Sequence, residues 1–229
     1  MKIFAVETSA KAVSAAVTDN GTVLASAYLN VGLTHSRTLM PLCESILRNA
    51  GLSAGDMDAF AAAVGPGSFT GIRIGVAAVK GLAFGVERPA VGVSTLAAMA
   101  RNVGFVNGVI LCAMDARRSQ IYQATFRAQD GILTRLTPDR AVFLSDLADE
   151  LRGGTGTPVV VGDGAELCAA YLNGHGVPCR IAPPHLVMQN AVSVALEAEH
   201  LPRMSAQELR PLYLRPPQAL PLRERLHGT

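Results

Sequence analysis

Two stretches of this chain follow one plan. "IFAVETSAKAVSAAVTDNG" (residues 3–21) and "LCAMDARRSQIYQATFRAQDG" (residues 111–131) each give an apolar strand ending in an acid, Glu7 or Asp115. A sharp bend, a second strand and a turn closed by glycine, Gly21 or Gly131, then follow in both. In the second copy Tyr122, Ala124 and Phe126 alternate with Gln123, Thr125 and Arg127, the two-residue period of a half-buried strand. Two such meanders, each continued by helix and strand crossovers, restrict the chain to an α/β protein of two similar lobes. The cleft between the lobes is then the expected ligand site, with Glu7 and Asp115 facing it.

The crossovers are readable. Over residues 36–50, Leu39, Leu42, Cys43, Ile46, Leu47 and Ala50 make one apolar stripe, and Gly51 stands where a C-terminal cap belongs. "DAFAAAVG" predicts a buried strand, "GPGSFTG" a glycine turn, and residues 70–86 a helix before Pro89 and the strand "AVGVS". A short helix over 96–101 closes a first lobe of residues 1–103. The second lobe, 104–213, adds helices over 145–151, 165–172 and 191–200 and the strands "PVVVG" and "CRIA", with a late helix able to return to the first lobe. The proline-rich end predicts a segment lying across the surface, then a flexible tail over 214–229.

Hydrophobic residues at 49% and charged residues at 17% describe a chain with a large core. A formal charge of +2 gives no basic field, so RNA would have to be held by a local patch or through another protein. Glu7 interrupts the first apolar run before a secretory segment is complete, and Arg73, Lys80 and Glu87 break up the longest apolar stretch. A cytoplasmic protein without a membrane span is expected. Cys43, Cys112, Cys168 and Cys179 form no C-x-x-C pair and predict buried, reduced thiols. His175, Cys179 and His185 match no standard metal spacing, so no metal site is expected.

"GPGSFTG" is not a Walker loop, because Ile72 and Arg73 stand where Lys and Ser or Thr are needed. A glycine turn opening a helix still offers free N–H groups and the positive end of the helix dipole. Ser68, Thr70 and Arg73 are therefore candidate anion contacts, the alternative being a turn and nothing more. The glycines beyond it, Gly71, Gly75, Gly81 and Gly85, each cost about 1 kcal/mol in a helix interior relative to alanine. Close backbone approach is the compensation. Gly71, Gly75, Ala78 and Leu82 share one face, suited to this chain's own sheet, to a partner helix beside Leu39, Cys43 and Ile46, or to both.

"ETSAKAV" and "MDARRSQIY" stand where an actin-like or sugar-kinase-like ATPase wraps phosphate, which requires glycine beside the acid. Lys11 follows the first acid, and Arg117 and Arg118 the second, with no glycine in either loop. A standard ATP site is degenerate here, although Glu7, Asp115, Arg117 and Arg118 remain candidate anion or nucleotide contacts. No nucleophile–base pair is visible: the five histidines form no H-x-x-x-H or H-E-x-x-H pattern, and no G-x-S-x-G elbow occurs.

"AVETS", "HSRTLMP", "GPGSFTGIRIG", "GVSTL", "MDARRSQIY" and "PLYLRPP", in this order over nearly the whole chain, resemble the TsaB (YeaZ) family of the bacterial tRNA N6-threonylcarbamoyladenosine pathway. The resemblance implies a two-lobed actin-like ATPase fold, a duplicated ribonuclease H-like plan, without stand-alone catalysis. It implies a scaffold that activates the transferase TsaD by pairing with it, TsaE joining as an ATPase and tRNA reached through the complex. ATP and metal would then reside on partner subunits, and helices 36–50 and 70–86 would form the pairing face, also used for self-association. The family commonly has Asp where this chain has Glu7, which argues further against a metal there. Two other readings stand beside it: a stand-alone kinase or hydrolase working at Glu7 and Asp115, and a metallopeptidase, which lacks ligands.

Overall fold

The computed structural model describes residues 1–117, 119–154 and 156–215; the expectations for Arg118 and for 216–229 lie outside the described residues. In the first lobe β1 (Lys2–Glu7), β2 (Val13–Asp19) and β3 (Thr22–Leu29) form the meander, turning through Asn20 and Gly21 at positive φ. Helix α1 (His35–Asn49), strand β4 (Ala59–Gly65), helix α2 (Phe69–Gly85) and strand β5 (Ala90–Ser94) follow. The sheet order is β3-β2-β1-β4-β5, with β1, β4 and β5 parallel. β1 and β4 read as unbroken apolar runs because helices cover both faces of the sheet.

One face carries α1 and α2, packed through Leu39, Cys43, Ile46, Ile72, Val76 and Val79 onto Phe4, Val6 and Phe60. The other carries α3 (Thr95–Arg101) and α6 (Ala191–Ala198), the latter returning from the end of the chain to lie on β1 and β2. Arg101 and Glu197 join α3 to α6 at 2.7 Å.

The second lobe repeats this connectivity. β6 (Gly108–Asp115), β7 (Gln120–Gln129) and β8 (Ile132–Arg135) form its meander, and β10 (Val159–Val161) and β11 (Arg180–Ile181) extend β6 in parallel, giving the order β11-β10-β6-β7-β8. Helices α4 (Leu144–Leu151) and α5 (Ala165–Gly174) cover its outer face, while α3 packs on its inner face through Leu96 and Met99, joined by Val103 just beyond the helix. α3 is thus shared between the sheets. An extra strand, β9 (Arg140–Phe143), pairs with the start of β7. Among the described residues, no helix is long and apolar enough to cross a membrane.

Candidate functional site

The interlobe cleft

A cavity of about 630 Å³ opens between the lobes where β1, β4, β6 and β10 end. Ser9, Lys11 and the turn Gly67–Phe69 line it from the first lobe, Asp115, Arg117, Tyr122 and Asp163 from the second, and Leu212–Arg215 across its mouth. Asp115 and Arg117 therefore stand where the sequence placed them. Asp115 is exposed, its Oδ1 accepting the N–H of Arg117 at 2.7 Å, and Arg117 adopts φ +63 to make that bend.

Glu7 departs from expectation. Residues 3, 5 and 7 of β1 share the face that α6 covers, and Glu7 pairs in register with Ser14, whose Oγ accepts the N–H of Ala191 at 2.9 Å. Glu7 is consequently buried, 1% exposed, beneath the cleft rather than facing it. One carboxyl oxygen accepts the N–H of Ser9, while Oε2 has no partner among the described residues. Burial pushes its carboxyl up to about 7, helped by the nearby Asp163 and opposed by the bonds from Ser9. Asp163 lines the cleft in its place; burial raises its carboxyl too, against the lowering effect of a 2.9 Å hydrogen bond from Gln189 Nε2. The sequence offers one signal for Asp163, the "GDG" turn at 162–164, whose two glycines flank the acid.

The α2 start and its glycines

The start of α2 is largely self-satisfied. Ser68 caps the helix, its Oγ accepting Gly71 N–H at 3.2 Å, and its own N–H donates to Ser9 O at 2.7 Å. Arg73 stacks on the Phe69 ring, 3.8 Å from its centroid, and donates through Nε to Tyr213 OH at 2.8 Å. Of the three expected anion contacts only Thr70, exposed in the first turn, lacks such an engagement here.

The glycine ridge is corrected in the same way. A Cβ on Gly71 would lie 2.1 Å from Thr8 O, and one on Gly75 would lie 2.3 Å from Thr8 Oγ1. Thr8 Oγ1 donates to Gly71 O at 2.8 Å, sealing the contact. These two glycines admit the chain's own first loop and are buried against it, which accounts for them without a partner helix. Leu39, Cys43 and Ile46, expected on the pairing face, point into the core for the same reason, since the apolar stripe of α1 is its sheet-facing side. Ala78 and Leu82 are half-buried. The exposed side of the two helices instead carries Met40, Glu44, Ala77, Gly81 and Phe84, the last 67% exposed.

The second lobe uses the same packing device. Cβ atoms on Gly162 and Gly164 would lie 2.1 Å from Ala113 O and 2.8 Å from Asp115 N. These glycines seat the β10–α5 turn on the end of β6. Among the described residues no three His, Cys, Asp or Glu side chains stand together to hold a metal ion.

Relatives

Residues 30–151 match the family described as TsaD: tRNA N6-adenosine threonylcarbamoyltransferase. The chain is 36% identical over 167 residues to the tRNA threonylcarbamoyladenosine biosynthesis protein TsaB of Escherichia coli, covering 72% of each. The crystal structure of an uncharacterized Pseudomonas aeruginosa protein with similarity to peptidase YEAZ superposes with a TM-score of 0.81 at 26% identity, over 93% of this chain and 99% of that one. Component A of (R)-2-hydroxyglutaryl-CoA dehydratase from Acidaminococcus fermentans shares the fold at 13% identity, with a TM-score of 0.51 over 87% of this chain and 98% of that one. The architecture is that of the actin-like ATPase superfamily, and with the TsaB relative covering more than two thirds of its own length at this identity, the chain belongs to the TsaB (YeaZ) family.

Proposed function

We propose that this chain is a non-catalytic scaffold and activator that pairs with the transferase TsaD in making N6-threonylcarbamoyladenosine next to the anticodon of tRNA. TsaE and tRNA meet it through that complex, ATP and metal stay on the partner subunits, and the work is done in the cytoplasm. Its two lobes are read as copies of one ribonuclease H-like unit. Alone, it self-associates through the face it offers TsaD.

One observation carries this reading: the first phosphate loop of the actin-like plan is closed on itself. Glu7 is buried with its carboxyl pushed up to about 7, Thr8 fills the glycine notch of α2, and Ser68 is occupied as a cap. A phosphoryl-transfer site needs an ionised acid and free donors aimed at phosphate. In this loop the acid lies buried beneath the cleft, and the Thr8 and Ser68 hydroxyls are committed to contacts within the chain. Membership of the TsaB (YeaZ) family supports TsaD as the partner.

The test is co-purification with TsaD and reconstitution of tRNA modification with and without this chain. Ala77→Arg and Phe84→Glu, on the exposed side of α2, should abolish pairing and modification while leaving the fold intact. Normal pairing by both folded variants would overturn the assignment of the face. The size of the cleft favours a second reading, a stand-alone nucleotide-dependent kinase or hydrolase. Tight ATP binding and turnover by the isolated chain, lost in Asp115→Asn, would replace the first reading with the second.

A further inference from the structure

The end of the described chain crosses from one lobe to the other. Leu212 N–H donates to Val64 O at 2.7 Å, where β4 leaves the sheet. This crossing is built in: a Cβ on Gly65, at φ +128, would lie 2.3 Å from Leu212 O, so only glycine lets the two backbones meet. One residue on, the Tyr213 ring stacks on Phe69 at 4.7 Å between centroids, and its hydroxyl accepts from Arg73. Two residues further, Arg215 has reached the second lobe. Its Nη1 donates to Ala116 O at 3.1 Å, and its guanidinium lies 5.6 Å from the Tyr122 ring centroid.

We propose that residues Leu212–Arg215 are a strap that ties the two lobes together across the mouth of the cleft, and that it releases the second lobe first. The two anchors are unequal. The first-lobe anchor combines a backbone hydrogen bond, an aromatic stack and a guanidinium layered on the same ring. Among the described residues, the second-lobe anchor is one carbonyl and a distant ring, and Arg215 Nη2 is buried there without a partner. A buried donor left unpaired opposes its own burial. Opening of the cleft therefore breaks the Arg215 contacts while the strap stays on the first lobe.

Hydrogen exchange on the full chain tests both parts, read at Leu212 and at Ala116 and Gln120, whose amides are hydrogen-bonded within the β6–β7 bend. Arg215→Gln should speed Ala116 and Gln120 by about tenfold and leave Leu212 at its original rate. Tyr213→Ala should speed all three by about tenfold or more, with β1 amides still protected as the measure of an intact fold. If Tyr213→Ala costs β1 protection, Tyr213→Phe, which keeps the ring and loses only the Arg73 bond, should give the same pattern at smaller amplitude. Unchanged exchange at Ala116 and Gln120 in the Tyr213 variants, with Leu212 released, would show a tail fixed to one lobe and overturn the strap. Release of Leu212 by Arg215→Gln would overturn the order.

Discussion

The two lobes share strand order and differ in how they end their first strand. In the second lobe β6 runs out to an exposed Asp115, and the bend beyond it lies open to the cleft. In the first lobe β1 ends in a buried Glu7, and its bend is clamped: Thr8 donates to Gly71 O, and Ser9 O accepts from Ser68. The glycine turn seated against the strand end is the same device in both, Gly71 and Gly75 on Thr8 and Gly162 and Gly164 on 113–115. Shared packing thus supports opposite chemistry. The burial of the acid differs: α6 lies over the face of β1 that carries Glu7, whereas Asp115 at the end of β6 stays exposed. The site that results is lopsided, with its acids, Asp115 and Asp163, supplied by the second lobe alone.

Substitutions can break this comparison at graded cost. Gly162→Ala should be the most damaging, at about 4 kcal/mol in chemical denaturation, because it adds a Cβ 2.1 Å from a carbonyl and strains a residue at φ +112. Next comes the buried acid. With its carboxyl at about 7 in the fold against an ordinary 4.5, the folded chain holds a proton that the unfolded chain releases between those values. Stability contributed by neutral Glu7 is therefore full below about pH 4.5 and falls by on the order of 3 kcal/mol as pH rises through 7. Glu7→Gln should flatten that part of the stability–pH curve; an unaltered slope would mean that Glu7 is not the group responsible. Asp115→Asn, on an exposed side chain, should move stability by less than about 0.5 kcal/mol.

Gly71→Ala should cost about 2 kcal/mol, since Thr8 O blocks the new methyl but the backbone there is ordinary helix. Gly81→Ala, ten residues along the same helix with nothing within 4 Å of its Cβ, should stabilise by about 1 kcal/mol. Equal effects at positions 71 and 81 would refute the view that the glycines of α2 have two different causes.

Much of the fold was legible because its signals are local. The apolar stripe of α1, the glycine turn before α2 and the unbroken runs of β1 and β4 each lie within one window of sequence. β9 was missed because four residues of mixed burial carry no period, and its pairing with β7 is a tertiary event. Site residues divide the same way. Asp115 and Arg117 sit on a bend that the sequence itself dictates. Glu7 looked like their counterpart, and only the register with Ser14 and the return of α6 bury it. The glycines of α2 announced a close approach without naming what approaches; Thr8, more than sixty residues earlier, is the answer. Tyr213 and Arg73 lie 140 residues apart and met no rule of spacing.

The four thiols give the molecule a built-in reporter. Cys43 lies in the core beneath α1, and Cys112, Cys168 and Cys179 in the second lobe, all unpaired and buried. Burial pushes the Cys43 and Cys168 thiols up to about 12, far from the thiolate that alkylating reagents require. Each sulfur is chemically silent until its own lobe loosens. The rate at which a small reagent labels Cys43 against Cys168 would therefore time the opening of one lobe relative to the other in the unmodified protein.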